Sequence, residues 1–396
     1  MGRELHGARD PLTHLQHAGE DLRPIALFFV AEDSEPNMDA PLPAVIERPE
    51  QLTPPWLTAA LRAGGLETTV AGCSHRSVGT GQMADSYRVE LELVDARADV
   101  PRSLVVKLPS ADSISRASGA RGAYASEVRF YLELASRLAI RVPECHYGAV
   151  SDDAASFVLI LEDLAPGRQG DQLNGCSVDQ AHAAVVNLAG LHAPLWCDAA
   201  IWDLELAMKM DPDSAAMLSE VLKPMTEGFV ERYRSRLSAD DVEVLGGFAA
   251  GAANWVRGRS ERFALLHGDY RLDNLLFATS EGGYPVATVD WQTLGVGLPA
   301  RDLAYFLGNG LTPEARRDHE RRLVSAYHDE LLAQGVAGYP LETCWEDYRY
   351  GQFQGPLITV LGAMSVKQTD RGDDMFMVMA SRACRAIRDL DALDLL

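Results

Sequence analysis

The chain has 396 residues, 47% of them hydrophobic and 23% charged, with a formal net charge of −21. That length suits two domains or one large bilobal unit with ample core. The acidic balance argues against binding a phosphate backbone, so no nucleic-acid partner is expected. Acidity would draw in a cationic molecule, but its commoner meaning is solubility alone.

Residues 1–37 are rich in His, Arg, Asp and Glu, lack sustained periodicity, and end in AEDSEPN just before Met38. They read as an extension dispensable for catalysis, either disordered or the product of a start upstream of a true one at Met38. The apolar run Pro24–Ala31 is too short to span a bilayer, so no membrane association is expected. The cysteines (Cys73, Cys145, Cys176, Cys197, Cys344, Cys384) lack paired metal-type spacing and suggest reduced thiols in a cytoplasmic protein. Nothing in the chain fixes its oligomeric state.

From Thr53 a helix is expected, with Thr53 as N-cap, Pro54 early, and Trp56, Leu57, Ala60 and Leu61 on one face. Strand-like segments follow at Ala71–Val78, Ser86–Val94 and Leu104–Leu108. Gly119–Leu138 reads as helix, with Tyr124, Val128, Tyr131, Ala135 and Leu138 at helical spacing. Further strands are expected at Glu144–Val150 and Ser156–Glu162. The segment Glu162–Gly175, with its Pro and several Gly, reads as a hinge. Beyond it lie helical patterns at Val178–His192, Ala215–Leu237, Asp240–Arg257, Pro313–Gln334, Leu341–Ala363 and Met375–Leu393. A strand-rich lobe over 38–163 and a helix-rich lobe over 164–396 make an α+β architecture.

The most informative stretch is HGDYRLDNLLF at His267–Phe277, followed by VDWQ at Val289–Gln292. Asn274–Ala278 and Pro285–Asp290 read as two strands joined through Thr279–Gly283. In an antiparallel hairpin the start of one strand lies opposite the end of the other. Asn274 and Asp290 thus fall at one edge, with Asp269 on the loop before it. Two carboxylates and an amide there form an oxygen-donor set suited to magnesium, which keeps phosphate oxygens and water as its other ligands. In outline this is a phosphoryl-transfer site. Lys107 stands out independently: only four of the 36 basic residues are lysines, and this one ends the apolar strand SLVVK.

The pattern resembles the catalytic core of the aminoglycoside-phosphotransferase and choline-kinase-like enzymes, relatives of the protein kinases. Protein kinases carry an Asp followed five residues later by Asn, then a metal-binding Asp. The DWQ ending is most similar to the ecdysteroid-kinase-like branch and its bacterial relatives. The resemblance implies a bilobal protein-kinase-like fold, ATP (or GTP) and Mg2+ as cofactors, and phosphate transfer to a hydroxyl of a small-molecule acceptor. It further implies Asp269 as the group that orients that hydroxyl and accepts its proton, and Asn274 and Asp290 as metal ligands. Arg271 matches the position of a catalytic-loop lysine. Gly79 and Gly81 would let backbone N–H groups approach the phosphates, with Ala84 near the place of a missing third glycine. Lys107 would contact the α- and β-phosphates, and Glu127 would hold it, with Glu133 as the competing carboxylate. Backbone groups from Glu162 to Leu164 would meet the adenine edge.

Other residues carry plainer readings. His267 reads as a loop-fixing residue rather than a base. Asp273 reads as capping or bonding the loop; Asp302 resembles the family's downstream Asp, which implies a loop brace, and reads equally well as a helix N-cap. His182 and His192 read as packing or surface residues. Gln292 fits the branch signature without a derivable role. The acceptor pocket is expected between the catalytic loop and the late helices, with Trp345–Pro356 and Arg371–Ala383 as candidate walls. Their aromatic and Met content suits a fairly apolar alcohol, while Asp373, Asp374, Glu346 and Asp347 leave a polycationic antibiotic open. Two other classes stay in play: a nucleotide-binding pseudokinase acting as a regulatory module, and a metal-dependent phosphohydrolase. The intact Lys107, Glu127, Asp269, Asn274 and Asp290 set argues against the first, and the lack of further His and Asp ligands against the second.

Overall fold

Alternation along SLVVKLP decides which way the phosphate-side lysine faces. In β3 (Ser103–Pro109), Leu104, Val106 and Leu108 are fully buried beneath helix α1 (Pro54–Ala63), while Val105 and Lys107 face a cleft on the other side. The structure, a computed structural model, describes residues 42–79, 83–94 and 100–396. The extension expected over 1–37, and Gly81, lie outside these residues.

Five antiparallel strands form the first sheet: β1 (Val70–Val78), β2 (Ala84–Leu93), β3, β4 (Cys145–Val150) and β5 (Phe157–Glu162), in the order β1-β2-β3-β5-β4. Thr53 caps α1 by accepting from the Trp56 N–H. The strand β5 is buried on both faces. Phe157, Leu159 and Leu161 join one apolar cluster, and Val158 and Ile160 join the cluster under α1.

The helix expected over Gly119–Leu138 is broken into pieces. Helix α2 (Ser113–Gly119) stops short, and α3 (Ala123–Arg129) starts again after Gly122, whose φ of 119° an L side chain rarely adopts. A π-helical turn at Phe130–Leu134 then turns Phe130 onto Trp291, with ring centroids 3.7 Å apart.

The larger lobe holds α4 (Val178–His192), α5 (Pro212–Arg232), α6 (Ala239–Arg257), α7 (Ala300–Gly310), α8 (Pro313–Ala333), α9 (Leu341–Gly351), α10 (Gln354–Ser365) and α11 (Asp370–Asp389). The single helix expected over Leu341–Ala363 divides after Gly351, where a Cβ would come within 2.5 Å of the Ala300 carbonyl oxygen. Short strands sit among these helices. β6 (Arg168–Gln169), β8 (Leu275–Thr279) and β9 (Gly282–Thr288) make one sheet, and β7 (Ala264–Leu266) pairs with β10 (Gly295–Gly297). The pairing of Leu275 with Thr288 sets the hairpin register.

One apolar cluster runs through both lobes, joining Tyr124, Phe130 and Phe157 to Leu188, Tyr270, Trp291 and Phe306. A second fills the space among α5, α6, α10 and α11. All six cysteines are free. Among the described residues no helix is long and apolar enough to cross a membrane.

Candidate active site

Strand β7 delivers His267 and Gly268 to the start of α7, where Asp302 is completely buried. Its carboxylate accepts the His267 N–H at 2.7 Å and the Gly268 N–H at 3.1 Å. Asp302 is therefore a loop brace; the N-cap position of α7 belongs to Pro299. His267 Nδ1 accepts from the Asp269 N–H at 3.3 Å, which leaves Nε2 to donate to the Val289 carbonyl at 3.1 Å. Both ring nitrogens are thus engaged within the loop. His192, also fully buried, places Nε2 3.5 Å from Asp302 and Nδ1 2.7 Å from the Tyr327 hydroxyl.

Asp269 follows directly. Its Oδ1 accepts the Tyr305 hydroxyl at 2.7 Å, and its Oδ2 accepts Arg271 Nε and Asn274 Nδ2, both at 3.0 Å. A carboxylate offers about four lone-pair sites, so Oδ1 can still accept from a bound hydroxyl. Arg271 also donates to Asp273 at 2.7 Å. Burial would pull the guanidinium down, but the Asp269 and Asp273 carboxylates outweigh it and raise its pKa. Tyr305 is raised well above the phenol range by burial and by the Asp269 carboxylate, so it stands as a proton donor.

Asn274 ends a 3-10 turn (Leu272–Asn274) just before β8, and its carbonyl accepts the Val289 N–H at 3.0 Å across the hairpin. Its Nδ2 is committed to Asp269, through the carboxylate and the backbone oxygen at 2.9 Å. The amide oxygen is thereby the free end of the side chain. Asp290 lies two residues past β9 with a φ of 69°, and its carboxylate meets Lys107 Nζ at 3.3 Å. Burial would raise the Asp290 carboxyl, but the Lys107 ammonium holds it below the usual range.

Lys107 Nζ contacts both oxygens of Glu127 at 2.7 Å, and the Glu127 side chain is 1% exposed. Burial alone would lower the lysine, yet Asp290 and Glu127 together raise it. Burial and Asp290 lift the Glu127 carboxyl, opposed by Lys107 and Gln292. Glu133 turns away to Arg129 at 2.7 Å. Gly79, Lys107, Glu127, Glu162, Leu164, Asn274, Asp290 and Gln292 all line one cleft, with Ala84, Val105, Leu161, Leu276 and Val289 as its apolar walls. The Glu162 N–H is bonded to the Glu144 carbonyl and its carboxylate to Arg141 at 2.6 Å.

A profile of the Ecdysteroid kinase-like family matches residues 79–335, more than half of the chain. The chain belongs to that family. Among solved structures, this ecdysteroid kinase-like chain is similar to choline kinase from Cryptosporidium parvum Iowa II. The two are 11% identical over 82% of this chain and 91% of that one, with a TM-score of 0.52. It is also similar to wild-type aminoglycoside 2'-phosphotransferase-IIIa in its GDP complex, at 14% identity over 83% of this chain and 98% of that one, with a TM-score of 0.51. At these identities the likeness is one of fold. Acyl-CoA dehydrogenase family member 11 of Gallus gallus is 35% identical over 65 residues, which are 16% of this chain and 8% of that relative.

Sequence reasoning missed Tyr305, which donates to Asp269, and gave no role to Gln292, which donates to Glu127 Oε2 at 3.0 Å. Tyr305 had a usable signal: it stands three residues after Asp302, and on a helix i and i+3 share a face. Of the candidate walls, Trp345, Tyr348, Phe353 and Met375 are all buried core, and Met375 Sδ lies 3.3 Å from Arg271. The four carboxylates that would suit a polycation are engaged. Asp373 accepts from the Tyr233 hydroxyl, Asp374 pairs with Arg236 and Glu346 with Arg349. Asp347 is buried against Arg259 and Arg262.

Proposed function

We propose that this protein transfers the γ-phosphate of ATP, or of GTP, to a hydroxyl of a small molecule. One observation carries the reading: Lys107 of the strand-rich lobe reaches both Glu127 and Asp290, so a cation for phosphates and a carboxylate for a metal ion share one cleft. The apolar walls at Ala84, Val105 and Leu276 suit a planar base, and the positive group lines the same cleft. Among the described residues no three His, Cys, Asp or Glu side chains form a metal cluster. The Asn274 amide oxygen and the Asp290 carboxylate nevertheless fit magnesium, which accepts few protein donors alongside phosphate oxygens. When bound, the ion would neutralise charge on the phosphates. Asp269 would orient the acceptor hydroxyl and take up its proton, and Arg271 would face the charge of the moving phosphoryl group.

The engagement of Asp373, Asp374, Glu346 and Asp347, with Met375 beside Arg271, supports a weakly charged, fairly apolar alcohol over a polycation. Incubation with Mg2+–ATP or Mg2+–GTP and a panel of hydroxylated metabolites and antibiotics tests the reading. Acceptor-dependent ADP or GDP release, with a phosphorylated product by mass spectrometry, is the expected result. Nucleotide binding with no turnover on any acceptor would favour a regulatory module instead. Tyr305→Phe removes one hydrogen bond to the Asp269 carboxylate and is expected to cut kcat about tenfold or more, with nucleotide affinity unchanged. Wild-type turnover in that variant would remove Tyr305 from the reacting group's support.

A further inference from the structure

Gln292 is buried to 8% exposure and lines the cleft, yet nothing assigned above uses it. Its Nε2 donates to Glu127 Oε2 at 3.0 Å, and the Trp291 N–H approaches Glu127 Oε1 at 3.4 Å. These contacts cross the lobe boundary, since Glu127 rides on α3 and Gln292 follows Asp290 in the larger lobe. The same helix is fastened nearby, where Ser126 Oγ donates to the Leu206 carbonyl at 2.9 Å and Phe130 stacks on Trp291. Residue type matters here. Lys107 already faces two carboxylates, Glu127 and Asp290, so an acid at 292 would add a third with no cation to match. An amide donates a proton to Glu127 and adds no charge.

We propose that Gln292 is a positioning residue which, by holding Glu127 from across the lobe boundary, sets the Lys107 ammonium where a nucleotide's α- and β-phosphates must lie. The inference rests on the nucleotide reading of this cleft. Gln292 acts through Glu127 and Lys107, so its removal affects phosphates and spares the base.

That asymmetry is the test. Gln292→Met keeps the side-chain length and removes the donor. Calorimetric titration with a non-hydrolysable ATP analogue and Mg2+ is expected to show affinity weaker by about tenfold to a hundredfold, the effect of losing a hydrogen bond to a charged group. Adenosine, which lacks phosphates, is expected to bind as it does to the wild type. Added to Lys107→Met, Gln292→Met is expected to cost nothing further, because both act on one contact. If Gln292→Met proves too unstable to titrate, Gln292→Glu keeps the shape and is expected to weaken the triphosphate still more. Equal losses for both ligands would mean that the lobes merely come apart, and unchanged triphosphate affinity would mean that Glu127 holds itself; either result overturns the proposal. If Lys107→Met itself binds the triphosphate as the wild type does, the nucleotide reading falls and the proposal with it.

Discussion

Asp269→Asn is expected to lower kcat by about 10²- to 10⁴-fold, the usual contribution of a positioned base. The substitution keeps the side-chain shape, so the Tyr305 hydroxyl, 2.7 Å from Oδ1 in the wild type, can still donate to an amide oxygen, while the amide nitrogen forgoes the bonds that Oδ2 accepts from Arg271 and Asn274. Arg271 keeps its second carboxylate, Asp273, at 2.7 Å, so the loop retains its charge balance on that side. Nucleotide affinity is expected to stay within the wild-type range, because the cleft groups that would meet phosphates are Lys107, Asn274 and Asp290. Single-turnover rates together with nucleotide titrations separate the two effects. Undiminished turnover in Asp269→Asn would falsify its role as base, and a matching loss of nucleotide affinity would make it a structural residue.

Lys107→Met should act on both stability and binding. It leaves Glu127, 1% exposed, with neutral donors only: the Gln292 amide at 3.0 Å and the Trp291 N–H at 3.4 Å. Breaking a buried ion pair from one side commonly costs about 3–5 kcal/mol. Lys107 and Asp290 are both partly exposed, so the lower end is the better expectation. The pH dependence has a definite sign. Without its cation, Glu127 is held by burial further above the usual carboxylate range, and a group whose folded pKa is raised favours the folded state at acid pH. That contribution is lost as pH rises through the folded-state value. The melting temperature of Lys107→Met should thus approach that of the wild type in acid and fall behind it towards neutrality. Lys107→Met with Glu127→Gln is expected to recover stability but not triphosphate affinity. A variant that melts with the wild type at all pH values would show that Glu127 carries no charge there.

What could be read from the chain follows from distance along it. The hairpin around β8 and β9 rests on neighbours a few residues apart, and its strands lie within two or three residues of the expected bounds. Lys107 was legible because lysines are scarce in this chain and this one ends an apolar strand, which alternation then turns to the cleft. Helix α3 was not, because apolar spacing is blind to the backbone reversal at Gly122 and to the widened turn at Phe130. Tyr305, and the role of Gln292, escaped for another reason. Their partners are 36 and 165 residues away, and neither residue type announces a carboxylate opposite it. The wall at Trp345–Pro356 shows the reverse error, since aromatics at helical spacing signal burial as readily as a pocket.

Helix α7 is buried along all 11 of its residues, and it lies between two apolar clusters. Leu303, Phe306 and Leu307 belong to the cluster that reaches into the strand-rich lobe, while Ala300 and Tyr305 belong to the one among α5, α6, α10 and α11. The side chains that hold Lys107, Glu127 and Asp290, are not members of the second cluster, and substitutions that share no partners tend to add rather than interact. An ancestral sequence could therefore have drifted along its late helices, trying new shapes against Arg271, without disturbing what grips the triphosphate. Divergence in this lineage should be written in α10 and α11, with α7 as the fixed keel between the side that holds Lys107 and the exploratory one.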